Sequence, residues 1–180
     1  MDKTTKWLIR GAALTVMFFA IGTPTYLIIS QNRNEITSQR KERNAKLTSL
    51  KNVMRQIASR LENGISYNSS TETFRPLVDE LAVVKELYPE NESVISALKA
   101  EALFNILQTY WYNTIYLEGM GLALNPEIDK FNSIAGKEVA TPLKESNFFG
   151  IIRVNEIDSK VQRAVMYNYI ISVLRQGSSK

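Results

Sequence analysis

The chain contains no cysteine and no histidine. Without thiols there are no disulfides, no zinc–thiolate or haem–thiolate sites and no cysteine nucleophile. Without imidazole there is no Ser-His triad and no Glu-x-x-His pair for a di-iron bundle. Glycine and proline are scarce, at 8 and 5 of 180 residues, and 31–62 has neither. Gly119-Met-Gly121 is too short for a phosphate loop, and no strand pattern precedes it. The neighbouring carboxylates Asp79 and Glu80 fall on different helix faces and do not form an acid–base pair. Glu86, Glu90 and Glu92 straddle Pro89 and read as an exposed acidic cap, with weak binding of a hard cation as the alternative. The expectation is a protein with no catalytic function, cofactor or metal.

The length suits one domain with an appendage, and 44% of residues are apolar. From Gly11 to Ile29 there are 19 residues without a charge. As a helix they extend roughly 28 Å, close to the hydrocarbon thickness of a bilayer. Lys3, Lys6 and Arg10 precede them, with Trp7 placed for the headgroups. A cleavable signal would have a shorter apolar core and small residues after it, whereas here Tyr26, Leu27, Ile28 and Ile29 follow. Pro24 is compatible with a spanning helix. A single-pass transmembrane helix is therefore expected. Arg33, Arg40, Lys41, Arg43 and Lys46 lie just beyond it. Counting Lys and Arg, the positive-inside rule favours a cytoplasmic body, although the short basic N-terminal tail argues the other way. Trp7, Arg10, Arg33, Arg40, Lys41 and Arg43 are the membrane-interface candidates.

The remaining residues, 31–180, read as an all-α, antiparallel four-helix bundle of up-down arrangement. A long stem helix over 31–62 carries Leu47, Leu50, Met54, Ile57 and Leu61 in alternating steps of three and four. The same register, run backward, meets Ile36, Arg40 and Arg43, so the stem has a coiled-coil-like seam. Asn63-Gly64 is a stop signal. Tyr67–Thr73 reads as a polar loop. A second helix follows at about 74–88, with Phe74, Leu77, Val78, Leu81 and Val84 on one stripe and Pro89 after it. Asn91 caps a third helix to about Glu118, with Ile95, Leu98, Ala102, Ile106, Tyr110 and Asn113 along it. Asn125-Pro126 marks a short helix, 126–135, or a kinked end of the third. Residues 136–150 read as irregular, no strand is expected, and a last helix covers about 155–175 with Ile157, Val161, Ala164, Val165, Tyr169 and Val173.

Charge is segregated. Residues 31–60 hold eight Lys/Arg against two Asp/Glu, and residues 62–130 hold four against eleven. Packing of a basic helix beside acidic ones accounts for most of this; contact with lipid phosphates is the alternative nearest the bilayer. The basic helix has no interleaved aromatic residues, so nucleic-acid binding is not expected. Tyr110, Trp111, Tyr112 and Tyr116 cover more than one face of a helix, so they divide between core and a patch for a partner or second copy.

Several motifs, in order, resemble the LemA family of small bacterial membrane-anchored helical bundles. Ile36-x-x-Gln39-x-Lys41-x-Arg43 precedes Leu47-x-x-Leu50, Tyr88-Pro89 follows, and then Leu98-Lys99-Ala100 with Phe104 and Leu107. Leu124-Asn125-x-x-Ile128-x-x-Phe131-Asn132 is similar to that family's repeated Tyr-Asn motif, and Phe149-Gly150-Ile151 to its Phe-Gly-Phe. The spacing between Tyr88-Pro89 and Leu98 is longer than the family's, as expected of a divergent or phage-borne member. The resemblance implies an anchored bundle, a role in organising membranes and no active site.

The reading that follows is a scaffold anchored in a bacterial inner membrane. It assembles with itself or a partner through the stem seam and the aromatic patch, and its partners are the lipid bilayer and further copies. The alternatives are a membrane-tethered sensor with a cavity lined by Tyr110, Asn113 and Tyr116, and a phage lysis protein of holin or antiholin type.

Overall fold

The computed structural model describes residues 33, 35–116, 124–143, 145–148, 151–154 and 156–180. The expected span, with Trp7 and Arg10, lies outside them. Among the described residues no helix is long and apolar enough to cross a membrane. The chain divides into two compact units, Met1–Ala45 and Lys46–Lys180. In the first, residues 35–45 are helical and exposed. Arg33, Arg40, Lys41 and Arg43 are all at the surface, and so is Ile36, at 61% exposure.

The second unit begins with helix α1, residues 46–62. Leu50, Met54, Ile57 and Leu61 are buried, as is Ala58. Leu50, Met54, Ile57 and Leu61 pack in the unit's own core, so this part of the expected seam is intramolecular, whereas Ile36, in the first unit, is exposed. Gly64, at φ +81°, follows the helix end.

Helix α2 spans Tyr67–Leu87. The stretch Tyr67–Thr73 is its first two turns and not a loop. Ser66 and Ser69 form a capping box: the Ser69 N–H donates to Ser66 Oγ at 3.2 Å, and the Ser66 N–H donates to Ser69 Oγ at 3.1 Å. Ser70 and Thr73 turn their hydroxyls back on Tyr67 and Ser69 carbonyls, which satisfies them inside the helix. Pro76 lies within the helix.

Helix α3 is Glu92–Tyr116, entered through Asn91, whose Oδ1 accepts the Ser93 N–H at 3.0 Å. It packs against α2, α4 and α5 and is therefore buried on several sides. The expected stripe is corrected accordingly. Val94, Ala97, Ala100, Leu103, Phe104, Leu107, Tyr110 and Trp111 are buried, whereas Ile95 and Leu98 are exposed. Phe74 of α2 stacks on Phe104 of α3, centroids 3.5 Å apart.

Helix α4, Asn125–Ala135, is a separate helix folded back on α3. Its N-cap is Leu124 and not Asn125. Asn125 instead accepts the Leu143 N–H at 2.6 Å and donates to the Leu143 carbonyl at 3.1 Å. One face and two turns on, Asn132 accepts the N–H groups of Val139 and Ala140 and donates to the Ala140 carbonyl. The two amides thus take the place of a neighbouring strand for residues 139–143. Gly136 closes α4 at φ +75°.

Two strands, β1 (Glu145–Phe148) and β2 (Ile151–Val154), pair antiparallel with Phe148 opposite Ile151. This corrects the expectation of irregular chain without strands. Four-residue strands are too short to show an alternation against the surrounding helical pattern.

Helix α5 is Glu156–Ser179. It buries Met166, Ile170, Val173 and Leu174, while Val161 and Ala164 are exposed, so its inner face is also shifted from the expected stripe. Gly177 is buried in the crossing with α1 and α3. A Cβ there would stand 2.5 Å from Met54 Cε and closer still to Ser96 Cβ. Contacts between residues 49 and 80, 70 and 108, and 110 and 159 set successive long helices antiparallel. The described bundle is helical apart from the hairpin.

Candidate functional site

Two features meet where the end of α1, the start of α2, the end of α3 and the start of α5 converge. The first is an aromatic cluster. The Tyr67 ring lies 5.4 Å from Trp111, 6.4 Å from Tyr112 and 6.1 Å from Tyr116, and Tyr112 and Tyr116 are 4.8 Å apart. Trp111 meets Tyr167 of α5 edge-on at 5.7 Å. Of the four expected partner-surface residues, Tyr112 and Tyr116 are exposed, at 46% and 57%. Tyr110 and Trp111 are buried, because the helix turns them toward α5. The Tyr110 hydroxyl donates to the Ser159 carbonyl at 3.1 Å, and the side chain is fully buried, so it is a core residue. Tyr67 joins the patch because α2 begins earlier than its polar sequence suggests.

The second feature is a cleft of about 420 Å³. One wall is the end of α1 and its turn, with Leu61, Glu62, Gly64 and Ile65. The other is one face of α5, with Lys160, Arg163, Ala164, Tyr167, Asn168 and Ile171, two neighbouring rows in which residues recur every three or four positions. Trp111 of α3 lies between them. The Arg163 guanidinium sits over the Trp111 ring, 4.8 Å from its centroid. The Glu62 carboxylate is held by Arg175 through two bonds, of 2.8 and 2.6 Å. That hydrogen bond, reinforced by the arginine's charge and opposed by slight burial, holds Glu62 below its ordinary pKa.

The Tyr167 hydroxyl is buried and has no hydrogen-bond partner. Burial pushes the hydroxyls of Tyr110 and Tyr167 far above the usual tyrosine range, with Arg163 pulling weakly against it. Both are neutral donors at any physiological pH. The cleft was not visible in the sequence, since its walls come from residues a hundred positions apart. The only local sign is the four-residue spacing of Arg163 and Tyr167 on one helix face.

Among the described residues, no group of three or more carboxylates converges to hold a metal, and that includes Glu86, Glu90 and Glu92. Comparison with known proteins adds no name to this geometry: no protein-family model, no curated protein and no solved structure matches the chain.

Proposed function

We propose that this protein is a membrane-anchored helical scaffold without catalytic activity, which assembles with further copies of itself at the cytoplasmic face of a bacterial inner membrane. The observation that carries the reading is the exposed Tyr112–Tyr116 pair, backed by Tyr67, on a bundle whose other aromatic side chains in that region are already packed. Large exposed rings one helical turn apart suit an interface more than a solvated face. The 19-residue uncharged run supports an anchor, and the motif order shared with the LemA family supports an anchored bundle. The seam residues Leu50, Met54, Ile57 and Leu61 take no part, since they are used inside the bundle.

The test is the mass of the full chain in a neutral detergent. An oligomer is expected at micromolar concentration, with Tyr112→Ser combined with Tyr116→Ser reducing it to a monomer of unchanged helicity. A monomer in the unsubstituted protein, or an oligomer indifferent to both changes, overturns the reading.

A further inference from the structure

The cleft between the α1 turn and α5 combines three things that do not satisfy one another. Arg163 has its guanidinium face on Trp111, and no carboxylate or carbonyl accepts from it among the described residues. Stacking leaves the in-plane N–H edge of a guanidinium as its donor surface. Tyr167, one helical turn along, has a buried hydroxyl without an acceptor. Such a hydroxyl costs free energy wherever it has no role. Glu62, the carboxylate nearest in the lining, is committed to Arg175 and does not neutralise Arg163. Leu61, Ile65 and Ile171 give the wall an apolar stretch, beside the polar Lys160 and Asn168.

We propose that this cleft binds a small monocarboxylate with a short apolar body. The carboxylate sits on the Arg163 edge; the Tyr167 hydroxyl, which has no exposed surface in the unliganded chain, reaches it by a shift of the Tyr167 ring, and the body lies against Leu61, Ile65 and Ile171. A carboxylate matches the guanidinium fork in shape and charge. The volume is at the small end for ligand sites, which limits the body to a few carbons or a single ring. The site lies at the end of α1 remote from Lys46 and rests on the cleft alone, not on the scaffold reading.

The experiment uses the full chain in neutral detergent with Trp7→Phe, which leaves Trp111 as the one tryptophan. Hexanoate is titrated beside hexanol and inorganic phosphate, with Trp111 emission as the readout. Hexanoate should give a saturable change that hexanol and phosphate do not, and Arg163→Gln should weaken it about tenfold, the scale of one charge-assisted hydrogen bond. Tyr167→Phe should raise the urea midpoint of unfolding and at the same time weaken hexanoate severalfold. A hydroxyl with only a structural role would not produce the second effect, and this variant carries the test if Arg163→Gln fails to fold. No saturation by hexanoate up to about 10 mM, where only negligible affinity goes unseen, overturns the proposal. So does equal binding of hexanol, tighter binding of phosphate, or unchanged affinity in both variants.

Discussion

Tyr110 and Tyr167 are both buried and both feel Arg163, yet they differ by one hydrogen bond. Removing the hydroxyl from Tyr110 deletes its bond to the Ser159 carbonyl, so Tyr110→Phe should lower the unfolding free energy by about 1 kcal/mol. Tyr167→Phe removes an unpaired group and should raise it by a similar amount, about 1 kcal/mol. Urea titration of the two variants checks the opposite signs. The raised tyrosine pKa values have a pH consequence. The folded state keeps its phenol protons where the unfolded chain loses them, so this stabilisation is complete below the ordinary value of 10.0 and disappears as pH climbs above it. Glu62 works in the other direction. Its lowered pKa means that the Arg175 bond contributes above the ordinary glutamate range and is lost as pH falls through the lowered value. The pair is exposed, so its contribution is small and sensitive to salt. The difference in urea midpoint between the unsubstituted chain and Glu62→Gln should therefore close on acidification and shrink in high salt.

Helix α2 carries a proline in its interior, as its tenth residue, where the missing N–H leaves a carbonyl of the preceding turn without its usual donor. Pro76 is exposed, so no packing is lost on replacing it. Pro76→Ala should stabilise the bundle, by about 1 kcal/mol or more given the propensity difference. Calorimetry would detect this as a higher melting temperature. Gly177 sets the opposite limit in α5. Met54 Cε is the free end of a flexible side chain and can swing aside, but Ser96 Cβ is fixed to its backbone. Gly177→Ala should therefore cost about 1–3 kcal/mol, as overpacking does in a filled crossing.

The elements also show where sequence patterns are informative. In α1 the apolar residues form a narrow stripe on an otherwise polar helix, and Leu50, Met54, Ile57 and Leu61 are buried as that contrast implies. Helices α3 and α5 have no such contrast. α3 touches three other helices, so nearly every face is a core face and a single stripe through Ile95 and Leu98 selects the wrong one. In α2, serines and threonines that signal a loop are instead paired with one another and with carbonyls a turn away. The partner-surface candidates separated for a similar reason. Composition groups Tyr110, Trp111, Tyr112 and Tyr116, but the helical rotation of 100° per residue sends two inward and two outward. The cleft was illegible because tertiary folding, and no local run, brings Ile65 near Tyr167.

For the whole molecule, the proposed anchor and the bundle make separate predictions. A carbonate wash should leave the full chain in the membrane fraction, and detergent should release it. A fluorescent protein fused after Lys180 should mature and fluoresce, while alkaline phosphatase at the same point should stay inactive. The reverse pair would place the bundle on the other side of the bilayer. Helix α3 joins α2, α4 and α5 in one core, so unfolding of the second unit should be a single cooperative transition by both circular dichroism and, in the Trp7→Phe chain, Trp111 emission.

The two asparagines of α4 bear on that cooperativity. Main-chain amides of Val139, Ala140 and Leu143 end on side chains of one short helix instead of on another stretch of backbone. Their protons can exchange with deuterium from the solvent only when α4 lets go, so these three sites report the undocking of a helix to which they do not belong. Asn132→Ala should release the first two and spare the third, which divides the clasp into two halves that open in turn.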